Sequence, residues 1–126
     1  MTLRKIAVMS LFSAIIGLFG CNAQSAKFAT VDVEEFAKVI SDTTVVRLDV
    51  RTPLEYAEGH IDDAINIDVL SDSFADKAAR LPKNRTIALY CRSGNRSKKA
   101  AAILADKGYK VIELATGYNG WQKAHK

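Results

Sequence analysis

The stretch Thr86-Ile87-Ala88-Leu89-Tyr90-Cys91-Arg92-Ser93-Gly94-Asn95-Arg96-Ser97-Lys98-Lys99-Ala100-Ala101-Ala102-Ile103-Leu104 decides how this chain is read. Thr86 to Tyr90 is an uncharged, largely apolar run, which suits a strand buried on both faces. Ser97 to Leu104 is rich in alanine and reads as a strong helix, with Gly108 just beyond its end. Between strand and helix lies a compact loop, Cys91 to Arg96.

The alternation of strand and helix continues outward from this element. Lys110 to Leu114 is a further strand, and Gly117 to Lys123 a closing turn or helix. Upstream, Thr44 to Val50 is β-branched and apolar, a buried strand. Thr52-Pro53 opens a short helix, since proline suits the first turn, and Gly59 ends it. Ala64 to Ile67 is a second short strand. Asp72 to Leu81 reads as an amphipathic helix with Phe74, Ala78 and Leu81 inward. Phe28 to Val31 is a short strand. Asp32 caps a helix that carries Val33, Phe36, Ala37 and Ile40 on one face, with Glu35 completing an approximate capping pair. Strands alternating with helices imply an α/β fold: a central parallel sheet of about five strands with helices on both faces. In such sheets ligands bind beyond the carboxyl ends of the strands, where Cys91 stands.

The chain has 126 residues, 48% of them hydrophobic and 25% charged, which suits one globular domain and excludes a disordered or disulfide-stapled chain. A formal net charge of +4 is too weak and too dispersed to argue for nucleic acid. Part of it belongs to the first residues. Arg4 and Lys5 precede the uncharged run Ile6 to Phe19, which is shorter than the roughly 20 residues of a transmembrane helix. Residues 1–20 are therefore expected to be a signal peptide. Leu18-Phe19-Gly20-Cys21 resembles the lipobox of bacterial lipoproteins, despite the bulk of Phe19. That resemblance implies lipidation of Cys21, a tether over residues 21–27 and a folded domain over residues 28–126. The expected location is the bacterial cell envelope, anchored to a membrane through lipid and facing the periplasm. Cys91 would then be the single free thiol of the mature chain, unusual enough in an oxidising compartment to suggest chemistry.

The loop itself shows what that chemistry requires. A helix N-terminus presents unpaired N–H groups and partial positive charge. Arg92 and Arg96 add full charges, and Gly94 lets successive N–H groups turn inward into an anion nest. Such surroundings lower a thiol pKa from about 8.5 to roughly 3.5–7.5. Cys91 is thus expected to be a nucleophilic thiolate rather than a small buried hydrophobe.

Here the chain resembles a single-domain rhodanese, a sulfurtransferase module. The loop Cys91 to Ser97 matches the active-site loop of that family. Asp49-Val50-Arg51-Thr52-Pro53-Leu54-Glu55-Tyr56-Ala57-Glu58-Gly59-His60-Ile61 matches its other signature, continued by Ala64 to Ile67. Gly117-Tyr118-Asn119-Gly120-Trp121 resembles its C-terminal motif. The resemblance covers about residues 28–124. Asp62-Asp63 stands where the family often has Pro and Gly, and Thr116 where Gly is common, so altered turns are expected there.

The resemblance implies transfer of a sulfane sulfur from a donor such as thiosulfate to cyanide or a thiol, through a persulfide on Cys91. It implies no metal and no organic cofactor. The substrate-binding residues are then Arg92, Ser93, Gly94, Asn95, Arg96 and Ser97, with the two arginines holding the anionic donor. Asp49 is expected to orient the loop, Arg51 to pair with Glu55, and His60 to make a structural hydrogen bond linking loop and strand. Tyr118 and Trp121 are expected to pack at core or rim, His125 to be frayed, and the protein to be a monomer. Two alternatives stand beside this reading. Phosphatases of the same fold have a loop one residue longer, which disfavours them here. A non-catalytic binding module or a redox sensor would use the same fold, the first usually without the cysteine.

Overall fold

A computed structural model describes residues 27–126. Residues 1–20, most of the tether and the expected lipid site Cys21 lie outside the described residues. Five strands form one parallel sheet: β1 (Ala29–Val31), β2 (Val46–Asp49), β3 (Ile65–Asn66), β4 (Ile87–Tyr90) and β5 (Val111–Leu114). Their spatial order is β1-β5-β4-β2-β3. The helices between and after them are α1 (Val33–Ile40), α2 (Pro53–Glu58), α3 (Phe74–Ala78), α4 (Arg96–Asp106) and α5 (Gly117–Ala124).

β4 explains the two-sided core. All four of its residues are buried, and they alternate between faces. Ile87 and Leu89 join Leu48, Val111, Phe74, Ala100 and Leu104, so α3 and α4 cover that face. Ala88 and Tyr90 join Phe36, Ile40, Ile61 and Leu114, with Tyr118 and Trp121 against them, so α1 and α5 cover the other. Strict alternation along a strand with two apolar faces leaves it no stable place but the middle of a layered sheet.

The strand order also creates the crevice. β2 pairs with β4 in register, Leu48 opposite Leu89 and Asp49 opposite Tyr90. From β2 the chain moves outward through α2 to β3. From β4 it moves the other way through α4 to β5. The two connections diverge at the carboxyl ends of β2 and β4, which is a topological switch point and the usual ligand site of an open α/β sheet. Asp49 and Cys91 stand on its two sides.

Several element boundaries shift from the sequence expectation. The helix expected over Asp72 to Leu81 covers only Phe74–Ala78; Phe74 and Ala78 are buried as expected, while Leu81 is partly buried. The short segment is built of turns at its start, where the Ser71 and Ser73 hydroxyls bond each other and Ser73 provides no side-chain cap. Asp32 caps α1 by accepting the Glu35 N–H at 2.8 Å. Asp63 takes a φ of +65°, a conformation that aspartate tolerates better than most residues. His125 is not loose: its ring stacks on Trp121 and its Nδ1 lies 2.8 Å from the Trp121 carbonyl.

Candidate active site

The loop is a thiol held inside a ring of backbone. Cys91 is 1% exposed. Its Sγ accepts the Gly94 N–H at 3.1 Å. The N–H groups at the start of α4 have no side-chain cap, because Asn95 makes none, so they remain available to a ligand or to the sulfur. Burial pushes the thiol pKa up. Hydrogen bonding from Ser97, by hydroxyl and N–H, and from the N–H groups of Gly94 and Ser93 outweighs it, and the thiol lies below its ordinary value.

Two glycines allow this geometry. Gly94 has a φ of +105°, and a Cβ there would meet the Ala115 carbonyl oxygen at 2.2 Å. Gly117 has a φ of +62°, and a Cβ there would lie 2.5 Å from the Arg92 carbonyl. The start of α5 can therefore press directly on the loop. The Tyr118 N–H donates to the Cys91 carbonyl at 2.8 Å, and the Asn119 N–H to the Arg92 carbonyl at 3.0 Å. With these carbonyls held outward, the loop N–H groups that follow are free to face the sulfur. The Gly117–Trp121 motif thus supports the loop, a role that sequence pattern alone does not reveal.

The charged residues are arranged differently from the sequence expectation. Arg51 does not pair with Glu55; it pairs with Asp49, its Nη2 donating to the carboxylate at 2.7 Å and to the Gly59 carbonyl at 2.6 Å. Asp49, wholly buried, accepts the Arg51 backbone N–H at 2.9 Å as well. Its carboxylate is spent on Arg51, so it holds the β2–α2 turn, not the Cys91 loop. The Arg51 guanidinium lies over the Tyr118 ring at 4.4 Å, which ties that turn to α5.

Glu55 instead pairs with Arg96. The guanidinium donates to both carboxylate oxygens, at 2.8 and 2.9 Å. Glu55 also closes a capping box with Thr52. The Arg96 hydrogen bonds outweigh the burial penalty and, reinforced by those from Thr52, hold the Glu55 carboxyl at about 2. Arg96 attracts the Cys91 sulfur electrostatically, while one N–H of each of its Nη atoms is engaged by Glu55. Arg92, Ser93 and Asn95 are exposed around the loop, and Gly94 and Ser97 are buried in it. His60 links no loop to a strand: its Nδ1 lies 2.9 Å from the Tyr56 carbonyl one turn back, and its ring stacks on Tyr56 at 3.7 Å. A cleft of about 230 Å³ beside the loop is lined by Arg51, Glu55, Glu58, Arg92, Tyr118 and Asn119, among others.

Glu113 is the residue that sequence reading passed over. It is wholly buried on β5 and accepts the Ser97 hydroxyl at 2.6 Å. Its signal was a single charge at an inward position of Val111–Leu114, on the same face as Val111.

A buried thiol in a Gly-turned N–H ring, at the switch point of a five-stranded parallel sheet, has a counterpart among known families. The model of the Rhodanese-like domain family matches residues 32–124. The chain belongs to the rhodanese-like domain family. A sulfurtransferase of Allochromatium vinosum is 36% identical over 95 residues, covering 74% of this chain and 87% of that protein. Thiosulfate sulfurtransferase PspE of Escherichia coli is 37% identical over 70 residues, 56% of this chain and 67% of that one. The crystal structure of a rhodanese-related protein from Thermoplasma volcanium matches the rhodanese fold here with a TM-score of 0.69 at 26% identity, covering 77% of this chain and 93% of that one. The chain spans only 26% to 35% of some longer relatives. At the general level these likenesses make this a rhodanese-type sulfurtransferase domain.

Proposed function

We propose that Cys91 carries sulfur as a persulfide. The thiolate attacks the outer sulfur of a small anionic donor such as thiosulfate. The sulfur–sulfur bond of the donor breaks, sulfite leaves with the electron pair, and the transferred sulfur remains on Cys91 with one negative charge. Cyanide or a thiolate acceptor then attacks that outer sulfur and returns the Cys91 thiolate. Two half-reactions through one covalent intermediate imply ping-pong kinetics.

The observation that carries this reading is the Cys91 Sγ receiving the Gly94 N–H inside the ring, with its ionisation favoured by hydrogen bonds. A ring that already accommodates one sulfur anion suits a second sulfur in place of a proton. Arg92 is exposed and lines the adjoining cleft, so in this reading it is the arginine that meets the incoming anion. Arg96, engaged by Glu55, holds the loop against α2 and contributes its charge at a distance.

The test is intact mass of the full chain carrying Cys21→Ser, after thiosulfate, beside the Cys91→Ser variant of the same protein. The expected result is the gain of one sulfur atom that Cys91→Ser lacks, lost on adding cyanide as thiocyanate appears. No gain in folded, reduced protein overturns the thiosulfate reading. Hydrolysis of an aryl phosphate by the same preparation would point to the phosphatase alternative instead.

We also propose that the chain is exported and lipid-anchored through Cys21, facing the periplasm as a monomer. The support is the charged start, the apolar run and the Leu18–Cys21 box. Expression of the full chain in a bacterium should place it in the membrane fraction, and Cys21→Ser should release it. A Cys21→Ser protein that stays with the membrane at wild-type level would end this reading.

A further inference from the structure

We propose that Glu113 restrains the ionisation of Cys91 by holding the Ser97 hydroxyl, which makes it a positioning residue for the reacting thiol. The inference rests on Cys91 being that thiol and adds a control to it.

Glu113 sits on β5 with no exposed surface. Three donors converge on its carboxylate: the Thr30 hydroxyl at 2.6 Å, the Ser97 hydroxyl at 2.6 Å and the Lys98 ammonium at 3.2 Å. Lys98 also donates to the Gly94 carbonyl at 3.0 Å. The carboxylate therefore reaches the Cys91 loop by two arms, one through Ser97 and one through Lys98 to Gly94.

The Ser97 arm has the sharper consequence. A serine hydroxyl has one proton to donate. Ser97 stands between two acceptors, the Cys91 sulfur and the Glu113 carboxylate. An O–H···O⁻ bond of this length is charge-assisted and about twice as strong as a neutral one. Glu113 holds the hydroxyl at 2.6 Å and so competes with the sulfur for its one proton, weakening a bond that favours the thiolate. This competition opposes the pull of the loop N–H groups. A thiol's intrinsic nucleophilicity falls with its pKa, so this opposition preserves the strength of the attacking sulfur.

The charges around the pair are Lys98 and Arg96 on α4, the exposed Arg92 on the loop, and Glu55 and Asp68 acting on Arg96. From β1 only the uncharged Thr30 hydroxyl reaches Glu113 among the described residues. None of these groups is altered by the substitutions below.

The experiment is the pH titration of Cys91 in the full chain carrying Cys21→Ser, followed by ultraviolet thiolate absorbance and by alkylation rate. Glu113→Gln keeps the shape, removes the charge and leaves a neutral amide oxygen, a weaker competitor for the hydroxyl. Its titration midpoint should fall by about one pH unit. Ser97→Ala alone should raise the midpoint by no more than about 0.3 units, because the proton it removes served mainly Glu113. Ser97→Ala placed on Glu113→Gln should raise the midpoint again, because there the hydroxyl serves the sulfur. A folded Glu113→Gln protein titrating at or above the wild-type midpoint overturns the proposal. So does Ser97→Ala alone raising the midpoint by about one unit, a result that decides the question even where Glu113→Gln does not fold. No sulfur donor is present, so failure here leaves the persulfide test standing, and failure of that test leaves this one readable.

Discussion

At Gly94 a single hydrogen atom in place of a methyl group makes the loop possible. The positive φ and the Ala115 carbonyl at 2.2 Å from a built Cβ leave no room for another residue. Gly94→Ala is expected to cost at least about 1–2 kcal/mol in urea unfolding, since both backbone strain and a backbone clash oppose it. Its Cys91 should alkylate with a midpoint at higher pH, because the Gly94 N–H no longer reaches the sulfur. A wild-type alkylation profile in this variant would contradict the role given to that N–H. At the same scale, Cys91, Gly94 and the two arginines were legible as a unit because their chemistry is local. Asp49, Arg51, Glu55 and Arg96 were legible as participants but not as partners. Any of these acids can pair with either arginine in sequence; which pair forms depends on where two turns from different strands meet.

Between elements, the contact that matters most to the loop joins α2 to α4. Thr52 and Glu55 cap the start of α2, and the same Glu55 carboxylate receives Arg96 from the start of α4. One side chain therefore serves a helix terminus and a tertiary tie at once. Its carboxyl sits at about 2 in the folded protein against an ordinary value of 4.5. A carboxyl whose pKa is depressed by folding stabilises the fold above its unfolded pKa and loses that contribution as pH falls through the folded one. Stability should decline from about pH 4.5 toward about pH 2 for this reason. Urea midpoints measured across that window should fall less steeply in Glu55→Gln than in the wild type. Equal slopes would show that the pair contributes no pH-dependent stability. The two helices themselves were readable from Pro53, Gly59 and the alanine-rich run, since caps and propensities are local. α3 fell short of its expected length because serine-rich turns took over the segment before Phe74.

In the whole molecule, β4 carries both the core and the site. Leu89 is wholly buried in the cluster that also contains Cys91. Leu89→Ala should cost about 2–5 kcal/mol, the range for a large side chain lost from a packed interior. Urea unfolding followed by Trp121 fluorescence measures it, and a loss below about 1 kcal/mol would mean that the sheet repacks around the cavity. The strand order makes the chemistry possible as much as the packing does. With β2 and β4 adjacent and their connections diverging, the Asp49–Arg51 turn and the Cys91 loop open onto one crevice.

The sequence by itself determined the alternation of strands and helices, the burial of β4, the thiol, its glycine and its arginines, because each of these rests on periodicity, propensity or spacing over a few residues. Tertiary structure alone decided the ion pairs, the support of the loop by α5 and the place of Glu113. Each of those needs two segments far apart in the chain to meet: Glu55 with Arg96, Gly117 with Arg92, Glu113 with Ser97. A charge inside an apolar strand shows in sequence only as an irregularity. Its meaning comes from which hydroxyl the opposite helix brings within 2.6 Å of it.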